Sequence, residues 1–412
     1  MQWVNALSTN PSLEAALTEV VSTATARLQD ASKSPVPQLT AVDVDLALFF
    51  VSAAFASEYP RIAPLLQGIV PFGTVAIGCS GGGIVGNSQE IEDKPAISLT
   101  LAKLPGVEVQ PFHIAADDLP DADSPPDRWQ QVLGMAGGEK PHFILLADAF
   151  SSNITELLQG LDFAFPSATT VGGLASGGQT PNGNALFLNG ELHRDGAVGV
   201  ALSGNISVEA VVAQGCRPIG QTMQVSRAER NVVLQLDKRP PLVALQDMVK
   251  SLNEADRQLV RTSLFAGMVM DEFKETPEPG DFLIRNIIGI DPRTGALAVG
   301  DRLRSGQRLQ FHLRDKQTSD EDLHAVLRRY RQERMERGLA LMPAGALMFS
   351  CLGRGEYLYG EPNHDTQVLE ESLGTVPMGG FFCNGEIGPV GGATFLHGYT
   401  SVFALFNPLT AQ

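Results

Sequence analysis

The sequence is poor in positive charge. Among 412 residues, 30 Lys and Arg stand against 46 Asp and Glu, and the net charge is −16 at pH 7. A protein that binds nucleic acid or an anionic membrane needs clustered cations to meet the phosphates, so this balance argues against either as a main task. The densest basic run, Arg328-Arg329-Tyr330-Arg331 with Arg334 and Arg337, is broken by Glu333 and Glu336 and reads as a solvated helix face. Cysteine is also sparse. Cys79, Cys216, Cys351 and Cys383 are widely separated and show no Cys-x-x-Cys spacing. That argues against a disulfide framework or a zinc module and fits reduced thiols in a cytoplasmic protein. Long apolar runs are missing: Leu46 to Ala56 falls well short of the ~20 residues that cross a bilayer, so no membrane insertion is expected. The N-terminus, Met1-Gln2-Trp3-Val4-Asn5, has no basic n-region and no apolar h-region, and no secretory signal is read there. No Walker loop and no metal-spaced histidine cluster occurs, so neither a cofactor nor a metal is expected.

What the chain does have is a recurring unit. At this length two domains are the default expectation. Val44 to Val51 reads as a buried strand, Tyr59 to Gly68 as a helix, and Gly73 to Cys79 as a second strand running into Ser80-Gly81-Gly82-Gly83. The order strand, helix, strand, glycine loop returns from Phe143 to Gly178 and again from Ala346 to Gly385. A longer correspondence joins the two halves. Val107 to His113, a helix near Asp127 to Leu133 and the Phe143 strand match Gln307 to His312, a helix near Asp320 to Arg337 and the Ala346 strand. The expectation is a duplication, residues 1–205 and 206–412. An amphipathic helix is expected from Asn10-Pro11 to Leu28, and a proline-containing loop at 34–38. Short Asn, Asp or Gly turns predict that Ala185–Asn189 pairs with Ala197–Leu202, and Ala393–Leu396 with Thr400–Phe406. The fold class is therefore α+β: two duplicated halves with mixed, largely antiparallel sheets carrying β-α-β crossover units, and helices flanking the sheets.

The richest stretch for recognition runs from Val376 to Pro389. It places Gly379, Gly380, Cys383, Asn384 and Glu386 close together, where backbone can approach a ligand and side chains can bond it. A buried thiol packing beside turn residues explains Cys383 nearly as well. Catalysis there needs a base, and His397 is the nearest in sequence. Arg217 and Arg285 each have the fork that grips a carboxylate, although structural ion pairing explains either equally well. Arg285 and Asn286 interrupt an otherwise apolar strand, and Cys351 with Arg354 follows the Ala346 strand, where crossover units expose binding groups. Two motif matches fail. Gly78-Cys79-Ser80-Gly81-Gly82 fits G-x-S-x-G, and Gly81 to Gly86 fits G-x-G-x-x-G, but Ile84 to Lys94 has no helical periodicity to complete either site.

Gly215-Cys216-Arg217-Pro218-Ile219-Gly220, Leu283-Ile284-Arg285-Asn286-Ile287-Ile288-Gly289-Ile290-Asp291 and Gly379-Gly380-Phe381-Phe382-Cys383-Asn384-Gly385-Glu386-Ile387-Gly388 resemble the C-terminal half of FIST-domain proteins. Residues from about Asp43 to Leu202 resemble the N-terminal half. The resemblance implies a stand-alone sensory protein that binds a small ligand, an amino acid or related polar metabolite. Arg217, Arg285, Asn286, Cys351, Arg354, Gly379, Gly380, Cys383, Asn384 and Glu386 are its candidate ligand contacts. Relatives often carry signalling segments or an F-box; this chain shows none, so the signal would pass to a protein partner in trans, with room for a homo-oligomer. Two alternatives stand beside it, a protein-interaction scaffold and a thiol-dependent enzyme using Cys383.

Overall fold

In a computed structural model the described residues are 1–31, 44–71, 73–121, 124–135 and 140–409; the loop expected at 34–38 lies outside them. They form two compact units, one of Met1–Val212 with Val326–Leu396 and the chain from Thr400, the other of Ala213–Ala325 with His397–Tyr399.

The first unit is built from three six-stranded mixed sheets with the same plan. The first sheet runs Gln2–Ser8, Ile97–Lys103, Leu46–Ser52, Val75–Gly81, Leu186–Leu188, Glu191–His193. The second runs Val107–Ile114, Ala197–Gly204, His142–Ala147, Thr170–Leu174, Glu386–Val390, Ala393–His397. The third runs Ser207–Ala213, Ser401–Asn407, Gly345–Cys351, Met378–Cys383, Gly83–Gly86, Gln89–Glu92. In each sheet the third and fourth strands are parallel and are joined by a helix: Tyr59–Ile69, Ile154–Ala164 and His364–Leu373 respectively. These are the three units read from the sequence, and the α+β class with flanking helices holds.

The last two strands of every sheet come from elsewhere in the chain. The hairpin of the first repeat completes the third sheet, that of the second completes the first, and that of the third completes the second. The register repeats as well. Gly78, Gly172 and Gly380 lie opposite Phe49, Leu145 and Met348 on one side, and opposite Phe187, Ile387 and Val85 on the other. This exchange corrects both expected strand pairings. Leu186–Leu188 pairs with Glu191–His193 and Val75–Gly81, whereas Ala197–Gly204 pairs with His142–Ala147 and Val107–Ile114. Ala393–His397 and Ser401–Asn407 likewise belong to different sheets. Strands adjacent in sequence separate here because the parallel crossover leaves one sheet edge for a returning strand and the other for a neighbour's hairpin.

Burial follows the strand pleat. Leu46, Leu48 and Phe50 of the first sheet share one core with Ile144 and Leu146 of the second and with Leu347, Phe349 and Phe381 of the third. Phe381 stacks on Phe50 at 5.0 Å between ring centroids and meets Phe349 edge-on at 5.9 Å. The alternate residues face helices: Ala47, Phe49 and Val51 pack under Leu13–Ala31 and Tyr59–Ile69. Phe143 and Leu145 pack under Trp129 and Leu157. The helix expected from Asn10-Pro11 begins at Leu13 and buries Leu13, Leu17, Val20, Ala24 and Leu28.

The second unit is a closed six-stranded barrel of Cys216–Glu229, Val232–Leu236, Leu297–Val299, Phe282–Ile290, Leu264–Val269 and Arg308–Arg314. In chain order it is inserted between Ser207–Ala213 and the helix Lys316–Glu336. The strand equivalent to Val107–Ile114 is therefore Ser207–Ala213; Arg308–Arg314, matched to it by sequence pattern, is a barrel strand.

Candidate functional site

The Val376 to Pro389 stretch forms the central strand Met378–Cys383 and the exchanged strand Glu386–Val390. Its glycines serve close backbone crossing. Gly380 has φ +155° and its missing Cβ would strike the Met348 carbonyl, as Gly172 at φ +152° would strike that of Leu145. At Gly379 a Cβ would lie 2.9 Å from Asn5 Nδ2, so the glycine makes room for that carboxamide.

Beyond these strands the three glycine loops converge, and they bond to one another. Ser176 Oγ accepts from the Gly82 N–H at 2.8 Å and donates to the Phe382 carbonyl, joining all three repeats. Asn384 donates from its side chain to the Ala175 carbonyl at 3.3 Å and from its N–H to Leu174 at 3.1 Å. Cys383, 1% exposed, directs its thiol at the Phe381 carbonyl 3.5 Å away. Burial pushes this thiol well above its ordinary pKa, and the charge of Glu386 adds to the rise. A thiolate nucleophile is disfavoured there. Glu386 is buried and accepts from the Thr400 N–H at 3.2 Å, while Cys351 Sγ, half-buried, accepts from the Gly353 N–H at 3.4 Å. His397, read as part of a turn, ends the strand Ala393–His397 and is buried.

Arg354 sits at the start of the short helix Gly355–Tyr359 and is fully buried. Its guanidinium grips Asp365 at 2.7 and 3.0 Å and donates to the Tyr359 hydroxyl at 2.6 Å. Burial alone would raise the Asp365 pKa, but Arg354 and the bonds from His364 and Tyr359 hold it well below the carboxylate range. Glu90, on the exchanged strand Gln89–Glu92, abuts this pair. Its Oε1 accepts from the Thr366 N–H at 2.9 Å while Asn363 Oδ1 accepts from the Glu90 N–H at 2.7 Å. Asn363, at the N-cap, makes no side-chain cap of its own, so the N-terminal donor of Thr366 is capped from a distant hairpin. Burial, and then the charge of Asp365, push Glu90 up to about 8.

The remaining candidates lie in the barrel unit. Arg217, opposite Leu313, and Arg285, opposite Ala266, are on the face that carries the main barrel core. Arg217 pairs with Asp256 and, at 3.3 Å, with Asp315; Arg285 pairs with Asp301 at 2.7 Å. Asn286 is exposed and accepts from the Tyr399 hydroxyl. The strand that carries them is half open to solvent, with Asn286 and Ile288 exposed, so Arg285 is less buried than its apolar neighbours suggested. The structure thus gathers Cys351, Arg354, Gly379, Gly380, Cys383, Asn384 and Glu386 around the Gly345–Cys351 and Met378–Cys383 strands, and sets Arg217, Arg285 and Asn286 in the barrel. Among the described residues no group of three or more His, Cys, Asp or Glu is placed to hold a metal.

The other end of the Met378–Cys383 strand borders a cavity of about 430 Å³. Its walls are Val4 and Asn5, Arg27 of the first helix, the hairpin turn Asn87-Ser88, Glu370, and the segment Thr375–Met378. Asn87 and Ser88 are both left-handed, at φ +50° and +56°, the geometry of a two-residue hairpin turn. Arg27 donates to Asn87 Oδ1 at 2.6 Å and to the Asn5 carbonyl. Asn5, 2% exposed, accepts from the Asn87 N–H at 2.9 Å and donates to Ser98 Oγ at 3.0 Å and Thr100 Oγ1 at 2.9 Å. A second cavity, of about 300 Å³, occupies the equivalent place in the first sheet. It is framed by the helix Tyr59–Ile69, the chain entering Val75–Gly81 and the hairpin turn Asn189-Gly190. Sequence reasoning missed Arg27, Asn5 and Glu370 because they come from three separate elements; the turn residues Asn87-Ser88 between two short strands were the local signal available.

A FIST N domain model matches residues 45–239 and a FIST C domain model matches 241–389. The chain is similar to an uncharacterized protein of Mycobacterium tuberculosis, 38% identical over 332 residues that cover 80% of this chain and 83% of that one. It is similar to an uncharacterized protein of Mycobacterium bovis, 36% identical over 355 residues, 84% of this chain and 86% of that one. A shorter likeness, 29% over 124 residues, joins it to an F-box/LRR-repeat protein of Arabidopsis thaliana, of which it covers 23%. The two domain matches span most of the chain in the family's order, and the protein therefore belongs to the FIST family of small-ligand-binding sensory domains.

Proposed function

We propose that the protein is a cytoplasmic sensor that binds an amino acid or a related small polar metabolite and passes the signal to a protein partner in trans. The observation that carries this reading is the 430 Å³ cavity, which is within the range of small-molecule sites and is walled by both a guanidinium and a carboxylate. Two of its walls belong to an exchanged hairpin and to the helix that the hairpin caps, so occupancy can bias how firmly the two hold together. Among the described residues no helix is long and apolar enough to cross a membrane. Arg217 and Arg285 offer a second place for a ligand carboxylate, which would have to compete with Asp256, Asp315 and Asp301.

A thermal-shift screen against free amino acids, their acyl derivatives and small carboxylates tests the reading. A ligand at 100 times its Kd adds about 2.7 kcal/mol of stability and raises the melting temperature. A flat screen would move the assignment to a protein-interaction scaffold, the use favoured by exposed Phe273 and Tyr357. Turnover of a ligand that is lost in Cys383→Ala would instead establish the thiol enzyme.

A further inference from the structure

Resting on the small-ligand reading, we infer that the 430 Å³ cavity is a recognition site for free aliphatic α-amino acids, with Arg27 taking the α-carboxylate and Glu370 the α-ammonium. Arg27 and Glu370 line one cavity and carry opposite charges, yet they form no ion pair with each other. Each is instead pinned by a neutral neighbour. Arg27 uses one terminal nitrogen on Asn87 and the Asn5 carbonyl, and among the described residues its remaining donors have no partner. Glu370 accepts from the Thr375 hydroxyl through Oε1 at 2.5 Å, leaving Oε2 uncommitted within those residues. Two opposite charges that line one cavity, each with bonding capacity open to a ligand, match a zwitterion and penalise a ligand that lacks either charge.

The support behind these groups is built rather than incidental. Asn5 is buried with its carboxamide fully engaged, and it fixes both the turn and the carbonyl on which Arg27 rests. The left-handed Ser88 is held by its carbonyl, which accepts from Thr366 Oγ1 at 3.1 Å. Backbone in this region persists only where its surroundings hold it, and here it forms a wall of the cavity. The equivalent cavity of the first sheet shows that the fold alone does not demand charge: Phe49, Ala63, Leu66 and Val75 line it, with Gln67, Thr74 and Asn189 as polar groups and no charged residue among the described ones. Val4, Val376, Pro377 and Met378 give the charged cavity an apolar stretch beside the polar Asn5, Asn87, Ser88 and Thr375, and that stretch suits an aliphatic side chain.

Calorimetric titration at pH 7 with L-leucine, N-acetyl-L-leucine and L-leucine methyl ester tests the assignment. L-Leucine is expected to bind, with acetylation and esterification each weakening it at least tenfold. Arg27→Gln and Glu370→Gln are each expected to weaken leucine binding at least tenfold. Because Arg27 also braces the turn, Thr375→Trp gives a second test: it keeps both charges while removing the hydroxyl that holds Glu370, fills the cavity from its exposed rim and is expected to abolish binding. Unchanged leucine affinity in all three variants, with loss in Arg285→Ala, would overturn the site and leave the small-ligand reading standing. Equal affinity for N-acetyl-L-leucine would overturn the role of Glu370. No heat with any free amino acid, alongside binding of another compound from the screen, would overturn the ligand class alone. A wholly flat screen would overturn both this inference and the reading beneath it.

Discussion

The strand Met378–Cys383 has two unlike ends. At its Cys383 end three glycine loops meet and spend their hydrogen bonds on one another, and a buried arginine is held by a buried aspartate. At its Met378 end, charged side chains with unused bonding capacity face a cavity. Both ends carry the residue types expected of a ligand site. The lesson is that glycine, cysteine and arginine mark close approach, while what approaches can be the protein's own backbone.

The largest effect is expected at the closed end. Arg354→Met leaves Asp365 buried without its partner and should cost about 3–5 kcal/mol in urea unfolding, with ligand affinity kept wherever the variant still folds. Near-normal stability with lost affinity would make Arg354 a ligand contact. Gly380→Ala should cost roughly 2–4 kcal/mol, because a Cβ there meets the Met348 carbonyl and the φ suits glycine. A loss below about 1 kcal/mol would show that the strand crossing can relax.

Glu90, which caps the helix His364–Leu373 from the exchanged hairpin, predicts a pH effect. Glu90 has a folded pKa raised to about 8 above its ordinary 4.5, so its contribution to stability is complete below pH 4.5 and is lost as pH rises through 8. Over that window wild-type stability should fall by up to about 1.4 kcal/mol per pH unit from this group. Glu90→Gln, which keeps an acceptor for the Thr366 N–H, should flatten that slope and be more stable than wild type at pH 9. Parallel pH profiles for the two proteins would contradict the assignment. The smallest effect is expected for Cys383→Ala, about 1 kcal/mol with unchanged ligand affinity. In the native wild type, Cys383 should resist iodoacetamide at pH 8; rapid alkylation there would mean an open, activated thiol.

Much of the fold was legible because it is local. The three strand-helix-strand units, with the helices Tyr59–Ile69 and His364–Leu373, and the barrel strand Phe282–Ile290 follow from periodicity and turn residues. The hairpin exchange was not, because pairing between Glu386–Val390 and Thr170–Leu174 is set by which sheet edge is left open, and no local pattern records that. The site divided along the same line. Cys383 and Glu386 stood out through their neighbours in sequence, whereas Arg27 looked like an ordinary exposed helix residue. Only the packing of its helix beside Asn5 and the exchanged turn gives it a role.

The most direct measurement is a titration of the arginine Nε–H signals by transverse-relaxation-optimised NMR, with assignments from Arg27→Lys, Arg285→Lys and Arg354→Lys. As L-leucine is added, the Arg27 signal is expected to move along a saturating curve while those of Arg354 and Arg285 stay fixed. A stationary Arg27 signal with movement at Arg354 or Arg285 would contradict the division between an open, ligand-binding end and a closed, structural one.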